Sequence, residues 1–378
     1  MPDQSLYIHV PFCKRACHYC DFHFSTVQKH KKEVLEAMLL ELDLRKGELP
    51  DRNLCSIYFG GGTPSLLSIS ELNVFFDHIA RYFNWGRKTE ITLEANPDDL
   101  SEAYLKSLLK ETPINRLSIG VQSFAEEDLR YMGRIHTARE AEEVLFKAQD
   151  LGFEKLSIDL IFGGPTTSDE IWAANLEKAA SLQVQHLSCY ALTVEERTAL
   201  GYRVRKDLSP QPSESRAARQ FEYLMAFAER QDYEPYEISN FARKGHRAIH
   251  NSLYWQGAPY LGIGPSAHSF DGHRRRRWNV ANNGLYLKCL TTGQPPWEEE
   301  CLTSEQRYNE LVLTRLRTLE GLSAKAIQDL GENYLQHFLR QAKSLQAEKL
   351  LEEEKGWYRL SRAGRLLADF VARELFWV

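Results

Sequence analysis

Three cysteines stand close together in CKRACHYCDF, at positions 13, 17 and 20, a C-x3-C-x2-C spacing. Thiolates so near in sequence wrap one loop of backbone around a metal group, and three of them match three corners of an iron–sulfur cube, leaving the fourth iron without a protein ligand. Zinc is the competing occupant. A structural zinc takes four ligands, and His9, His18 or His23 would complete its set. The chain holds seven cysteines in all. An odd number, three clustered and four scattered, reads as a metal site plus isolated thiols rather than a disulfide framework. Cys55, Cys189, Cys289 and Cys301 are therefore expected to be ordinary buried or part-buried side chains.

Something must hold that loop, and the flanking sequence supplies it. SLYIHV (5 to 10), CSIYFG (55 to 60), EITLEA (90 to 95), RLSIGV (116 to 121), KLSIDLIF (155 to 162) and HLSCYAL (186 to 192) are strand candidates. Between them run stretches with helical spacing, such as Val34, Leu35, Met38, Leu39 and Leu42, or Ala141, Val144, Leu145 and Ala148. Ser68 to Glu71 and Thr137 to Glu140 have the form of capping boxes. Six strands alternating with helices predict right-handed β-α units and a parallel sheet. The polar residues choose its shape. The cysteines follow the first strand, Gly60, Gly61, Gly62 and Thr63 the second, and Gln122 the fourth, while Glu94 closes the third and Asp159 lies late in the fifth. Groups at the carboxyl ends of consecutive strands converge on one rim in a barrel. Residues 1 to 205 thus read as a partial (β/α)6 barrel. GGGTP (60 to 64) is not a P-loop, since no Gly-Lys-Ser/Thr follows, and GIGPSA (262 to 267) lacks the third glycine of a dinucleotide fingerprint. Glycines there let backbone approach a ligand closely.

KDLSPQPSES (206 to 215) reads as a linker. Residues 206 to 300 read as an α+β extension, with a helix at RAARQFEYLMAFAERQ, a strand at YEPYEIS and an irregular part around 242 to 284. Residues 301 to 378 read as a mostly helical, winged-helix-like unit, with a hairpin and terminal helix in EKGWYRLSRAGRLLADFVARELF. At 378 residues and 43% hydrophobic the chain can bury one large core or several smaller ones. A net charge of -5 argues against a nucleic-acid protein. No apolar run approaches a membrane span and no signal peptide is recognisable, so the expected compartment is the cytoplasm, with peripheral membrane contact left open.

The cysteine loop and the following glycine motif together resemble the radical S-adenosylmethionine (SAM) superfamily. The resemblance implies a [4Fe-4S] cluster held by Cys13, Cys17 and Cys20, whose open iron chelates the amino and carboxylate groups of SAM and whose electron can cleave it to a deoxyadenosyl radical. YIHVPFC (7 to 13), YFGGGTPS (58 to 65), LEANP (93 to 97), RLSIGVQSF (116 to 124), GRIH (133 to 136) and IDLIFGGP (158 to 165) are similar to the subfamily of oxygen-independent coproporphyrinogen III oxidase and its haem-chaperone relatives, the HemW group. By that resemblance Tyr7, Gly61, Gly62, Thr63, Glu94, Gln122, Arg134 and Asp159 would surround SAM. Arg134 would pair with its carboxylate, Gly62 and Glu94 would engage its ammonium, and Asp159 would accept from ribose hydroxyls.

Two departures separate this chain from the oxidase pattern. Phe22 occupies the place of a further cysteine, and only six residues precede Tyr7. HNSLYW (250 to 255) matches the HNxxYW motif of the HemW group, in which His250 is a candidate haem ligand, Cys ligation competing, and Tyr254 with Trp255 would line a porphyrin face. Arg274 to Arg277 read as a solvated loop, with haem propionates or an acidic partner as the functional alternative. The expected function is thus a haem chaperone that uses [4Fe-4S], SAM and haem and delivers haem to target proteins. Oxidative decarboxylation of coproporphyrinogen III is the alternative, and a radical enzyme acting on tRNA is a third that the acidic balance disfavours. The sequence leaves monomer and homodimer both open.

Overall fold

The computed structural model describes residues 3–378. Its strands are β1 (Ser5–Val10), β2 (Ser56–Gly61), β3 (Glu90–Ala95), β4 (Arg116–Gln122), β5 (Leu156–Phe162), β6 (His186–Ala191), β7 (Glu234–Pro235), β8 (Asn240–Ala242), β9 (Tyr260–Ile263), β10 (His268–Phe270), β11 (Arg275–Asn279), β12 (Trp297–Cys301), β13 (Leu322–Ser323), β14 (Leu351–Glu354) and β15 (Trp357–Leu360). β1 to β6 pair in chain order and in parallel, each step bridged by helix, as the six strand candidates predict. Both expected capping boxes form, at Ser68–Glu71 and Thr137–Glu140.

The sheet stays open. β1 takes β9 as its other neighbour, again in parallel, and β10, β11 and β12 extend that edge in antiparallel fashion. At the far edge β8 pairs with β6 and β7 with β8. The stretch around 242 to 284, expected to be irregular, holds three short strands and the helix Ile249–Trp255. Strands of three to five residues carry too little periodicity to be read singly, and it is pairing with neighbours that stabilises them.

One face of the parallel sheet is apolar. Leu6, Ile8, Val10, Ile57, Phe59, Leu93, Leu117, Ile119, Ile158 and Leu160 are fully buried in one continuous core beneath the helices. The alternate positions, Tyr7, His9, Tyr58, Glu90, Thr92, Glu94, Arg116, Ser118 and Asp159, belong to the concave face by the two-residue period of a strand. Parallel strands buried on both faces read as continuous hydrophobic runs. This alternation marks a concave face given to polar work.

A second core, built on Tyr308, Val312, Leu316, Phe338, Tyr358, Val371 and Leu375, packs helices around the antiparallel sheet β13-β15-β14. The terminal helix expected after the hairpin is two helices, Arg362–Leu366 and Ala368–Leu375. The arginine run is no loop. All but Arg274 form β11 beside the acidic β12, where Arg275 and Arg277 meet Glu299, Arg277 meets Glu48, and Arg276 meets Glu310. Cys189 is buried and Cys55 and Cys289 are half-buried as expected, but Cys301 is exposed, because it ends the sheet's edge strand. Among the described residues no helix is long and apolar enough to cross a membrane.

Candidate functional site

Beyond β1 the chain turns into the cysteine loop, and hydrogen bonds pin that loop along its length. Phe12 bridges Ser25, and Cys13 N–H donates to the Ser25 carbonyl at 3.0 Å. Midway, His18 docks on the end of the helix Glu126–Met132: its backbone N–H donates to Met132 at 3.0 Å, and its Nδ1 lies 2.8 Å from the Tyr131 carbonyl. Lys14 adds an ion pair to Asp98 at 3.0 Å and to Asp99. Of the histidines that a fourth zinc ligand would come from, His9 has both ring nitrogens bonded, and His18 and His23 one each. His9 bonds Tyr7 and the His23 carbonyl, His18 the Tyr131 carbonyl, and His23 Nε2 bonds Asn283 at 2.7 Å. Burial pushes the Cys13 thiol up to about 12, against the lowering bond from Thr63, and pushes Cys20 up as well. Ligation must therefore displace protons.

The glycine turn sits directly against this loop. Gly62 N–H donates to Val10 at 2.9 Å, and a Cβ there would stand 2.7 Å from the Phe12 carbonyl oxygen. Gly61 has φ +106°, and a Cβ would strike the His9 ring at 2.6 Å. Thr63 Oγ1 donates to Cys13 Sγ at 3.3 Å and accepts from Asn96 Nδ2 at 3.2 Å. Arg134 follows Gly133, which caps the helix Glu126–Met132 in a left-handed conformation. Its guanidinium donates to Asn96 Oδ1 at 2.5 Å, to the Gly120 carbonyl at 2.7 Å and to Cys17 Sγ at 3.4 Å. Hydrogen bonds to cysteine sulfur are one of the ways a protein tunes a bound cluster.

The remaining positions surround the same end of the sheet. Glu94 is sunk into the concave face, where Tyr58 O–H donates to Oε1 at 2.6 Å and Gly61 N–H to Oε2 at 3.2 Å. Burial raises its carboxyl to about 7, offset by Tyr58 and reinforced by Asp159. Gln122 ends β4 at φ +68°, where the β4–β5 register shifts, and its amide folds back over Gly120 beside Arg134. Strained backbone of this kind persists where the surroundings over-determine it. Asp159 lies in the middle of β5 rather than late in it, its Oδ1 3.5 Å from Ser118 Oγ, and burial raises its carboxyl to about 6. Tyr7 faces inward with its ring 6.0 Å from that of Tyr58.

The donor set fits a cluster and SAM. Three thiols share one pinned loop, two of them already bonded by Thr63 and Arg134. Among the described residues the buried Arg134 Nε has no hydrogen-bond partner, a donor free for an anion, while buried carboxyls lie at Glu94, which accepts only from neutral donors, and at Asp159, which feels Arg134 and Arg116. Asn96, Tyr58 and Tyr19 were missed as site residues. Asn96 lies within LEANP and Tyr58 within YFGGGTPS, so both motifs contained the signal. Tyr19, between two cysteines, stands beside Arg134 and Cys17.

The HNSLYW residues lie elsewhere. His250 meets Ser56 and Glu90, the first residues of β2 and β3, at the end of the strands opposite the cysteines. Tyr254 is half-exposed and Trp255 Nε1 is buried without a partner.

Comparison with known proteins gives the family and the fold. Residues 7–179 match the model of the radical SAM superfamily, and residues 302–367 match the HemN C-terminal domain. The chain is 34% identical over 372 residues to "Heme chaperone HemW" of Bacillus subtilis (strain 168), covering 97% of this chain and 98% of that one. It is 36% identical to "Heme chaperone HemW" of Escherichia coli (strain K12) over 71% of this chain and 70% of the other. The fold matches that of the coproporphyrinogen III oxidase HemN from Escherichia coli, with a TM-score of 0.85 at 23% identity, over 99% of this chain and 90% of that one. The chain belongs to the radical SAM superfamily and, within it, to the HemN-like family that includes the haem chaperones.

Proposed function

We propose that this radical SAM protein is a cytoplasmic haem chaperone: it holds a [4Fe-4S] cluster on Cys13, Cys17 and Cys20 and SAM on the adjoining rim, binds haem, and passes it to haem-accepting proteins. The observation that carries the reading is the likeness over nearly the whole chain to proteins named as haem chaperones. Phe22, exposed on the cysteine loop where the oxidase pattern has another cysteine, supports it. Bound there, the cluster supplies a redox-active iron with one open position. The chain's own groups do the rest. Arg134 pairs its free Nε with the SAM carboxylate, Glu94 and the Gly62 backbone take the ammonium, Asp159 the ribose hydroxyls, and Tyr7, Gly61, Thr63 and Gln122 complete the cradle.

The test is a paired assay on reconstituted protein under anaerobic, reducing conditions. Haem binds stably and coproporphyrinogen III is not decarboxylated; steady formation of protoporphyrinogen would replace the chaperone reading with the oxidase one.

A pH dependence follows from the raised carboxyl of Glu94. In the ligand-free protein it is protonated below about 7 and ionised above. An N–H donor of the SAM amino group favours the ionised form, so SAM affinity is high above pH 7 and falls as pH drops through that value, by up to about tenfold per unit. Its sign for folding is opposite. Because the folded value exceeds the ordinary 4.5, the ligand-free fold loses stability as pH rises from 4.5 to about 7. Calorimetric titration of SAM at pH 6 to 8 checks the first statement, and a flat profile refutes it.

A further inference from the structure

Helix Ile249–Trp255 lies across the amino ends of the parallel strands, far from the cysteines along each strand. His250 Nδ1 is 2.9 Å from Ser56 Oγ in β2, and its backbone N–H donates to Glu90 Oε1 in β3 at 3.1 Å. Glu90 faces Arg116 of β4 at 3.8 Å. Asn251 reaches the other half of the sheet. Its Nδ2 donates to Tyr236 O–H at 3.2 Å; that oxygen lies 2.8 Å from His186 Nε2 in β6, and His186 Nδ1 lies 2.6 Å from Ser157 Oγ in β5. The His-Asn pair therefore joins β2 through β6 in one chain of polar contacts. Among the described residues no backbone pairing closes this sheet into a barrel, so such a clasp has curvature to hold.

His250 also touches the SAM rim through one intermediary. Its ring stacks on Tyr58 with centroids 4.8 Å apart, and Tyr58 O–H makes the 2.6 Å bond to Glu94. We propose that His250 and Asn251 clasp the floor of the open barrel, and that His250 is a positioning residue for SAM, fixing Glu94 through Tyr58. The ring stays neutral in this role. Burial takes its imidazole down to about 4.

The inference rests on the reading of the rim as the SAM site, and the experiment separates the two. SAM and haem titrations are run on the cluster-loaded wild type, His250→Ala, Asn251→Ala and Tyr58→Phe, with iron content and circular dichroism confirming that each is folded. Loss of the charge-assisted bond makes Tyr58→Phe bind SAM about ten- to hundredfold more weakly. His250→Ala weakens SAM about tenfold by releasing Tyr58, and haem affinity is unchanged in both. Glu94 is faced by Tyr58, the Gly61 N–H, Asp159 and Tyr7. Of these the Tyr58 bond and the Gly61 N–H lower its titration, so both variants move the midpoint of the SAM pH profile upward. A purely structural floor would leave that midpoint in place. Should His250→Ala lose haem and keep SAM, the histidine is a haem ligand and the inference fails. It fails also if His250→Ala and Tyr58→Phe bind SAM as the wild type does with the same pH profile. A wild type that binds no SAM refutes the site itself.

Discussion

Cys17→Ala, reconstituted anaerobically with iron and sulfide, retains almost no iron, where the wild type takes up about four per chain in a [4Fe-4S] cube. The loop offers three thiols, and removing one leaves two, too few to hold a cube of four irons. The loss also takes one partner from Arg134, whose Nη1 bonds Cys17 Sγ while Nη2 keeps Asn96 and the Gly120 carbonyl. Backbone bonds from Cys13 and His18 still hold the loop, so the apo variant keeps its fold. Iron and sulfide analysis with the visible spectrum reads the result. One zinc per chain in place of iron in the wild type would end the cluster assignment.

Gly62→Ala is expected to be nearly as damaging by a different route. The added methyl would meet three backbone atoms, the Phe12 oxygen at 2.7 Å, the Phe12 nitrogen at 2.9 Å and the Val10 oxygen at 2.9 Å. Backbone cannot swing aside as a side-chain end does, so the strain is relieved only by shifting the segment that leads into Cys13. Overpacking of this kind costs about 1–3 kcal/mol of stability. The displaced segment carries the first ligand, so cluster occupancy and SAM binding fall together. Gly47→Ala is the matched control, since nothing lies within 4 Å of its added methyl. Thermal melts and iron content of the two variants decide the matter: equal behaviour would show that the glycine turn does not set the position of the cysteine loop.

The six strands were legible because each is short, β-branched and bounded by turns. The helices were legible by their apolar spacing, and two by their capping boxes. The cysteine and glycine motifs were legible because the ligands of one site stand within a few residues of each other. Other features were hidden by distance along the chain. Arg274 to Arg277 look like a solvated charge run until Glu48, Glu299 and Glu310 are brought against them. Asp159 is mid-strand because β5 runs on through Phe162, three residues beyond it. Tyr58 and Asn96 stood within the motifs with no role of their own, and their bonds to Glu94 and to Arg134 and Thr63 make them part of the rim.

His250 marks the boundary most clearly. Its motif made it a candidate haem ligand, and the fold puts it on the floor, stacked on Tyr58. By itself the sequence determined what depends on neighbours in the chain: periodicity, caps, the spacing of three thiols and the glycines that let backbone come close. The tertiary structure decided which polar groups meet on the concave face and which end of the barrel each occupies. Those contacts join residues far apart in the chain, Ser56 and His250 by 194 positions. They are set by the order and register of the strands, which no local pattern encodes.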